Sequence, residues 1–183
     1  SVINVHGEES FITISTPLYI ATLTNRSGGS FVNYTLMGEN SGKLKYLGGY
    51  DDDGFFQSNL PVSIIMPFRD SCMPCLAYFD DREDKYHFIN QSFTLLNFSS
   101  KSDTIYLDFN DSIELKYILL DAGGRTLIEK SVVFSADKYI NNHFYKINDV
   151  NFDYSNNLEI LWYGGLRPTE EKEDEDVQYG SGI

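Results

Sequence analysis

Alternation of apolar and polar residues at every second position most constrains how this chain folds. Residues 113–119 (IELKYIL) place apolar side chains at every odd position, with Glu114 and Lys116 between them. Because successive side chains of a β-strand point to opposite faces of a sheet, this pattern predicts a half-buried strand. Residues 104–109 alternate in the same way, and residues 11–15 and 93–98 are rich in β-branched and aromatic residues.

Two turn-like segments join pairs of such strands. The sequence NRSGG at residues 25–29 separates segments 18–24 and 30–37, and DAGG at residues 121–124 separates segments 113–120 and 126–134. Asn, Asp and Gly favour tight turns, so both patterns predict antiparallel hairpins. No stretch of a dozen residues has a 3.6-residue period. We therefore predict an all-β fold with antiparallel sheets and at most short helices.

Two polar segments are predicted to be exposed loops. Residues 48–54 (GGYDDDG) and residues 80–85 (DDREDK) combine turn-forming residues with charge. The aspartates at 51–53 lack the alternate spacing with which calcium loops point their oxygens inward, so we interpret this segment as a solvated turn.

Length and charge limit the function classes. The 183 residues, with 42% apolar content, suit one domain spanning residues 1–183. The 14 basic and 27 acidic residues give a net charge of −13, which repels nucleic acids and anionic lipid surfaces. Uncharged apolar stretches fall far below the roughly 20 residues of a membrane-spanning helix. We expect no nucleic-acid partner and no transmembrane segment in this chain.

The two cysteines, Cys72 and Cys75, form the motif Cys-Met-Pro-Cys. A Cys-x-x-Cys pair at a helix N-terminus can be a redox centre, but no helical pattern follows Cys75. A local disulfide in an oxidising compartment is the interpretation that we favour, and two ordinary thiols remain the alternative.

No catalytic or metal-binding motif stands out. His6, His87 and His143 lie far apart in the sequence and in none of the spacings typical of shared metal ligation. His143 with Glu159 is the acid–base pair that a sugar-processing sandwich would need, and the sequence gives no sign that the two converge. No pattern here requires catalysis, and we predict no cofactor or metal site.

The segment LEILWYGGLRPTE at residues 158–170 contains the only tryptophan of the chain. One interpretation is a core strand with Trp162 packed inside and Arg167 paired with the acidic run at residues 170–176. The other places Trp162, Tyr163 and Arg167 on the rim of a groove, where aromatic and guanidinium groups suit contact with a polypeptide.

Three segments of the chain, in order, resemble one protein family. They are residues 15–36 (STPLYIATLTNRSGGSFVNYTL), residues 124–139 (GRTLIEKSVVFSADKY) and residues 162–170 (WYGGLRPTE), the last followed by the acidic run. These segments are similar to the large periplasmic domain of the membrane protein insertase YidC, of the Oxa1/Alb3 superfamily, in its Bacteroidetes-type form.

The resemblance implies a periplasmic β-supersandwich, similar to galactose-mutarotase-like domains, in a parent protein embedded in the bacterial inner membrane. It implies a non-enzymatic role in inserting and folding inner-membrane proteins, with Sec translocon components and nascent chains as partners. The transmembrane bundle of such insertases is not in this sequence, so we expect an excised piece that is incomplete at its C-terminal side.

Two other functions stay open. A carbohydrate-binding or mutarotase-like sandwich would share the fold but needs aromatic platforms and a converging acid and base. A surface adhesion domain would be favoured if residues 51–53 bound calcium.

Overall fold

The computed structural model of the protein describes residues 8–40, 42–51, 53–66, 72–98, 102–148 and 158–167, together with Thr169 and Glu171. These residues form strands and turns, and no helix occurs among them. The strands lie in several mainly antiparallel sheets, which confirms the predicted all-β, sandwich-like fold. In this part of the chain no helix is long and apolar enough to cross a bilayer.

The described residues contain strands of two to ten residues. In chain order they are β1 Phe11–Ser15, β2 Tyr19–Thr24, β3 Ser30–Leu36, β4 Glu39–Asn40, β5 Lys43–Leu44, β6 Leu47–Tyr50, β7 Phe56–Pro61, β8 Ile65–Met66, β9 Cys72–Asp80, β10 Lys85–Phe88, β11 Thr94–Leu95, β12 Ser102–Tyr106, β13 Ser112–Leu120, β14 Thr126–Ser135, β15 Asn142–Ile147, β16 Leu158–Tyr163 and β17 Gly165–Leu166.

Three larger sheets organise the fold. Sheet I has the strand order β12-β1-β2-β3, sheet II the order β10-β9-β16, and sheet III the order β11-β13-β14-β15. The pairs β4-β5, β6-β7 and β8-β17 accompany them. The pairing of β1 with β12 is parallel, whereas the other strand pairs of these sheets are antiparallel.

Both hairpins predicted from the sequence are confirmed, as β2 with β3 and β13 with β14. In the first turn, Gly28 and Gly29 have φ values of 69° and 88°, a region that glycine enters without a steric penalty. A Cβ atom on Gly29 would also lie 2.7 Å from the ring of Tyr117 in β13. The glycines therefore let this turn approach sheet III closely.

The predicted loops and strand ends differ from the structure at three places. Residues 48–50 belong to β6, so the predicted loop at 48–54 is confined to the turn after Tyr50. Gly48 and Gly49 have no side chains, so β6 shows no alternating pattern. Glycine is required at position 49, because a Cβ atom there would lie 2.5 Å from the backbone oxygen of Pro61. β12 ends at Tyr106, before the predicted end at residue 109, and β11 is the only strand within segment 93–98. The charged loop at 80–85 is confirmed as the turn between β9 and β10.

An aromatic interior lies between sheets I and III. The Tyr19 hydroxyl of β2 donates to the backbone oxygen of Ser135 at 3.1 Å, and its ring centroid lies 6.4 Å from that of Phe134 in β14. Phe31 of β3 meets the same Phe134 ring edge-on at 6.1 Å. Burying each large apolar side chain stabilises the fold by roughly 1.5–3 kcal/mol, so this seam is a main source of stability.

A buried lysine connects sheet II to this interior. Lys130 of β14 is 1% exposed, and its Nζ donates to the backbone oxygens of Ser27, Gly29 and Pro74 at 3.2 Å each. The ammonium also lies 5.0 Å from the centroid of the Tyr145 ring. Burial lowers the pKa of Lys130 to about 7. Because Pro74 belongs to β9, this lysine fixes the central strand of sheet II against the other two sheets.

Candidate functional site

Sheet II joins segments that lie far apart in the sequence. Ala77 of β9 lies opposite Phe88 of β10 on one side and opposite Glu159 of β16 on the other. Directly opposed residues of antiparallel strands share a face, so these three residues form one row across the sheet. The pairing of β9 with β16 thus brings Glu159 next to residues of the β9–β10 hairpin.

Aromatic rings cover this face of sheet II. Phe79 and Tyr86, opposed in the neighbouring row, have ring centroids 5.1 Å apart. The rings of Phe88 and Tyr163 lie 4.7 Å apart. Tyr86 and Tyr163 are 41% and 45% exposed. We refer to Phe79, Tyr86, Phe88, Glu159 and Tyr163 together as the aromatic face.

Glu159 gives the aromatic face a polar group. Its Oε2 accepts a hydrogen bond from the Tyr86 hydroxyl at 2.9 Å. This hydrogen bond raises the pKa of Tyr86, because only the neutral phenol can donate it. A ring held beside a carboxylate can stack on the apolar side of a ligand while the carboxylate accepts hydrogen bonds from hydroxyl or amide groups.

β16 forms an edge of sheet II. Within the described residues it pairs with β9 and with no other strand. Ile160 and Trp162 are 60% and 49% exposed, although both are large and apolar. An edge strand presents backbone N–H and C=O groups along its outer side. The register changes between Leu161 and Tyr163, so the tryptophan lies at an irregularity of the edge.

Two of the residues singled out from the sequence, Trp162 and Tyr163, contact different parts of the protein. The Trp162 ring lies 6.2 Å from that of Phe31, a buried residue of sheet I. Tyr163 instead contacts Phe88 on the aromatic face. The two rings therefore leave β16 in different directions, and both remain partly accessible.

The third residue, Arg167, has partners elsewhere. Its Nη1 donates to the backbone oxygens of Tyr50 and Asp51 at 3.2 and 3.4 Å, and its backbone N–H donates to Ile64 at 3.0 Å. Arg167 thus holds the β6–β7 turn, and the structure does not place it with the two aromatic residues. Its predicted alternative partner, the acidic run at 170–176, lies outside the described residues except for Glu171.

Cys72 and Cys75 are linked by a disulfide at the start of β9. Both side chains are buried, and the chain after Cys75 continues as a strand. A helix N-terminus, which lowers the thiol pKa in many redox centres, is therefore not present at this pair. The disulfide lies around Pro74, whose backbone oxygen accepts from Lys130.

His143 and Glu159, considered as an acid–base pair from the sequence, have separate partners. The Nε2 atom of His143 lies 2.8 Å from Oδ1 of Asn141, and its ring lies 5.7 Å from that of Phe31. Burial, with a smaller contribution from the charge on Lys130, lowers the pKa of His143 to about 3. Its imidazole is therefore neutral at physiological pH, while Glu159 is engaged by Tyr86.

The charged turn between β9 and β10 brings together three side chains that could hold a metal ion. The ligand atoms of Asp80, Glu83 and His87 all lie within 4.8 Å of one another. The aspartate turn after β6 differs, because Oδ1 of Asp51 accepts two backbone N–H groups of its own turn, at 2.8 and 3.1 Å. Asp51 is therefore used as a turn cap, in keeping with a solvated turn.

Sequence reasoning missed the aromatic face and the cluster in the charged turn. Tyr86 and Phe88 do show period-two spacing, but they directly follow the charged segment 80–85, and two residues are too short a pattern to predict a strand. Glu159 reaches Tyr86 through the pairing of β16 with β9, for which the sequence carries no local signal. His87 lies far in the sequence from the other two histidines, and its spacing from Asp80 and Glu83 matches no familiar metal-binding motif.

No family model, curated protein or solved structure matches this chain.

Proposed function

We propose that this protein is a non-enzymatic protein-interaction domain in which the β16 edge binds an extended, apolar segment of a partner polypeptide. The observation that carries the proposal is the exposure of Ile160 and Trp162 on a strand that pairs on one side within the described residues. Adding a strand to a sheet edge pairs backbone groups of both partners, and the flanking side chains supply specificity.

The side chains on this edge suit an apolar partner. Trp162 already packs against Phe31 on one side, so its indole is held in place before binding. A side chain that is ordered in advance loses little conformational entropy when a partner covers it. Removing Ile160, which is 60% exposed, fully from water would contribute about 1–2 kcal/mol.

The net charge favours some partners over others. At −13, the protein repels acidic polypeptides and attracts apolar segments flanked by lysine or arginine. The expected partner segment is therefore extended, apolar and basic at its ends.

We further propose that this interaction domain belongs to the periplasmic part of a YidC-type insertase. The proposal is supported by the three ordered segments at residues 15–36, 124–139 and 162–170 and by agreement between the all-β fold and the implied sandwich. In that setting the partners are nascent inner-membrane proteins and subunits of the Sec translocon, and the domain assists insertion and folding without catalysing a reaction.

The edge proposal can be tested by fluorescence, because Trp162 is the only tryptophan of the chain. An apolar, lysine-flanked peptide of about ten residues, long enough to pair with a strand, is titrated into the protein. We expect a saturable blue shift of the emission as the peptide excludes water from the indole.

Two matched variants make this experiment specific. Ile160→Lys puts a charge on the β16 edge and should weaken binding by about tenfold or more, since tenfold corresponds to about 1.4 kcal/mol. Phe144→Lys puts the same charge on β15, the edge of sheet III, where Phe144 is 59% exposed, and should leave binding unchanged. Equal weakening in both variants, or no saturable shift with the unmodified protein, would contradict the proposal.

The insertase setting is tested in the full parent protein in native membranes. A photoreactive side chain at position 160 should crosslink to translocon subunits or to newly made inner-membrane proteins, and one at position 144 should not. Crosslinking to neither class from position 160 would contradict this setting but not peptide binding by the edge.

A second candidate function, carbohydrate binding, is favoured by the aromatic face. Tyr163 offers an exposed ring and Glu159, held by Tyr86, offers an acceptor for sugar hydroxyls. Calorimetry with a panel of sugars separates the two functions. If sugars bind here, Tyr163→Ala should weaken sugar binding and Ile160→Lys should leave it unchanged. Peptide binding at the edge should instead be weakened by Ile160→Lys.

A further inference from the structure

We propose that the charged turn between β9 and β10 is a binding site for a divalent transition-metal ion, Zn²⁺ in particular, with Asp80, Glu83 and His87 as ligands. Each residue offers one ligand atom, and all of these atoms lie within 4.8 Å of one another. An imidazole nitrogen combined with carboxylate oxygens is a ligand set that zinc accepts. Calcium and magnesium prefer oxygen ligands alone, so the histidine selects against them.

The spacing of two ligands already fits a bound zinc ion. Nε2 of His87 and Oε2 of Glu83 are 3.3 Å apart. In tetrahedral zinc with bonds of about 2.0–2.1 Å, neighbouring ligand atoms are separated by about 3.3 Å. The ligand atom of Asp80 lies within 4.8 Å of both.

The surrounding contacts hold these ligands in place. Oδ1 of Asp80 accepts the backbone N–H of Arg82 at 2.8 Å, which fixes the turn. The ring of His87 stacks on Tyr78 with centroids 5.0 Å apart and planes inclined by 10°. The imidazole is therefore oriented before a metal arrives.

The ligand nitrogen of His87 faces the carboxylate of Glu83. Nε2 of His87 is shielded from solvent, although the side chain as a whole is 30% exposed, and it forms no hydrogen bond with the described residues. Its contact with Glu83 is close but lacks hydrogen-bond geometry. A metal ion between the two groups would be coordinated by both atoms.

A lysine side chain lies within this site. The ammonium of Lys85 contacts Glu83 and balances its charge. Because Lys85 is 57% exposed, it can turn toward solvent when a metal ion takes its place, at the small cost typical of surface ion pairs. Removing this competing cation should therefore strengthen metal binding.

The test is a Zn²⁺ titration of the protein by calorimetry, with Co²⁺ absorption as a second readout. We expect one equivalent to bind. Asp80→Asn keeps an oxygen for the Arg82 N–H and Glu83→Gln keeps the side-chain shape, yet each should weaken binding by about tenfold or more. Lys85→Met should strengthen it.

Asp121→Asn is the matched control. Asp121 caps the β13–β14 turn in the same way, with Oδ1 accepting the N–H groups of Gly123 and Arg125 at 2.8 and 2.9 Å, but without a histidine. This variant should bind Zn²⁺ like the unmodified protein. In both proteins the NMR signals of the His87 ring should shift as Zn²⁺ is added. Equal weakening by Asp80→Asn and Asp121→Asn, or Zn²⁺ binding that leaves the His87 signals unmoved, would overturn the proposal, as would the absence of binding.

Discussion

Replacing Lys130 by methionine should remove a pH dependence of stability that the buried ammonium imposes. Burial lowers the pKa of Lys130 from 10.5 to about 7 in the folded protein. Between these two values the unfolded chain binds more protons than the folded protein, so the free energy of unfolding rises with pH. Methionine has a similar length and shape but no charge, and therefore eliminates this contribution.

The size of the effect follows from the two pKa values. Integrating the difference in bound protons between about pH 7 and pH 9 gives an increase of about 2 kcal/mol in the free energy of unfolding. Other buried groups act outside this window. Burial, and to a smaller extent Asp137, raises the pKa of Tyr19 to about 12, so this tyrosine stabilises the fold fully below pH 10 and loses its contribution above it. His143, with a pKa of about 3, is neutral throughout the window.

Urea denaturation at several pH values between about 7 and 9 measures this dependence of the free energy of unfolding on pH. The unmodified protein and Lys116→Met, a control at a position whose side chain is 54% exposed, should gain about 2 kcal/mol, and Lys130→Met should stay flat. A flat profile for the unmodified protein would refute the reasoning. It would mean that the backbone oxygens and the Tyr145 ring keep the ammonium charged.

Three further predictions concern the turn, the buried histidine and the aromatic face. Gly29→Ala should destabilise the fold by about 2–4 kcal/mol in urea denaturation, because φ is 88° and a Cβ atom would lie 2.7 Å from the Tyr117 ring. A change below about 0.5 kcal/mol, the size of an ordinary surface substitution, would contradict the close approach of this turn to sheet III. The depressed pKa of His143 predicts that the free energy of unfolding falls by about 2 kcal/mol between pH 7 and pH 5, because the unfolded chain takes up a proton that the folded protein does not. His143→Gln should not show this decrease. Glu159→Gln should lower the pKa of Tyr86 in an ultraviolet titration, and an unchanged value would show that the 2.9 Å hydrogen bond does not form in solution.

Part of the strand content follows from local sequence. The alternation at residues 113–119 and the turn residues at 25–29 and 121–124 identify β2, β3, β13 and β14, because side-chain period and turn geometry are local properties. Glycine weakens this signal. Residues 48–50 form β6 with two glycines and therefore without an alternating pattern.

Lys130 illustrates a second limit. It lies on the same face of β14 as Ile128 and Val132, so the alternation alone places it inside, while its charge argues for the surface. Lys130 can be buried because its ammonium donates to backbone oxygens of the β2–β3 turn and of β9. These oxygens come together only when the three sheets pack. Sequence spacing gives no access to such contacts.

The candidate sites depend on pairing between distant segments. The sequence left open whether Trp162 and Tyr163 lie in a core strand or on the rim of a groove, and the structure leaves both about half exposed. Arg167 lies elsewhere, because the chain turns into β17 and reaches the β6–β7 turn. The aromatic face requires β16 to pair with β9, a long-range choice that local pattern does not encode.

The most direct test of the proposed function is hydrogen exchange of the backbone amides of β16, measured with and without the lysine-flanked apolar peptide. If the peptide adds a strand to sheet II, amides of β16 that point away from β9 become protected, and amides of the β15 edge exchange as before. Protection confined to β15 or to β10, or no change along residues 158–163, would contradict binding at this edge.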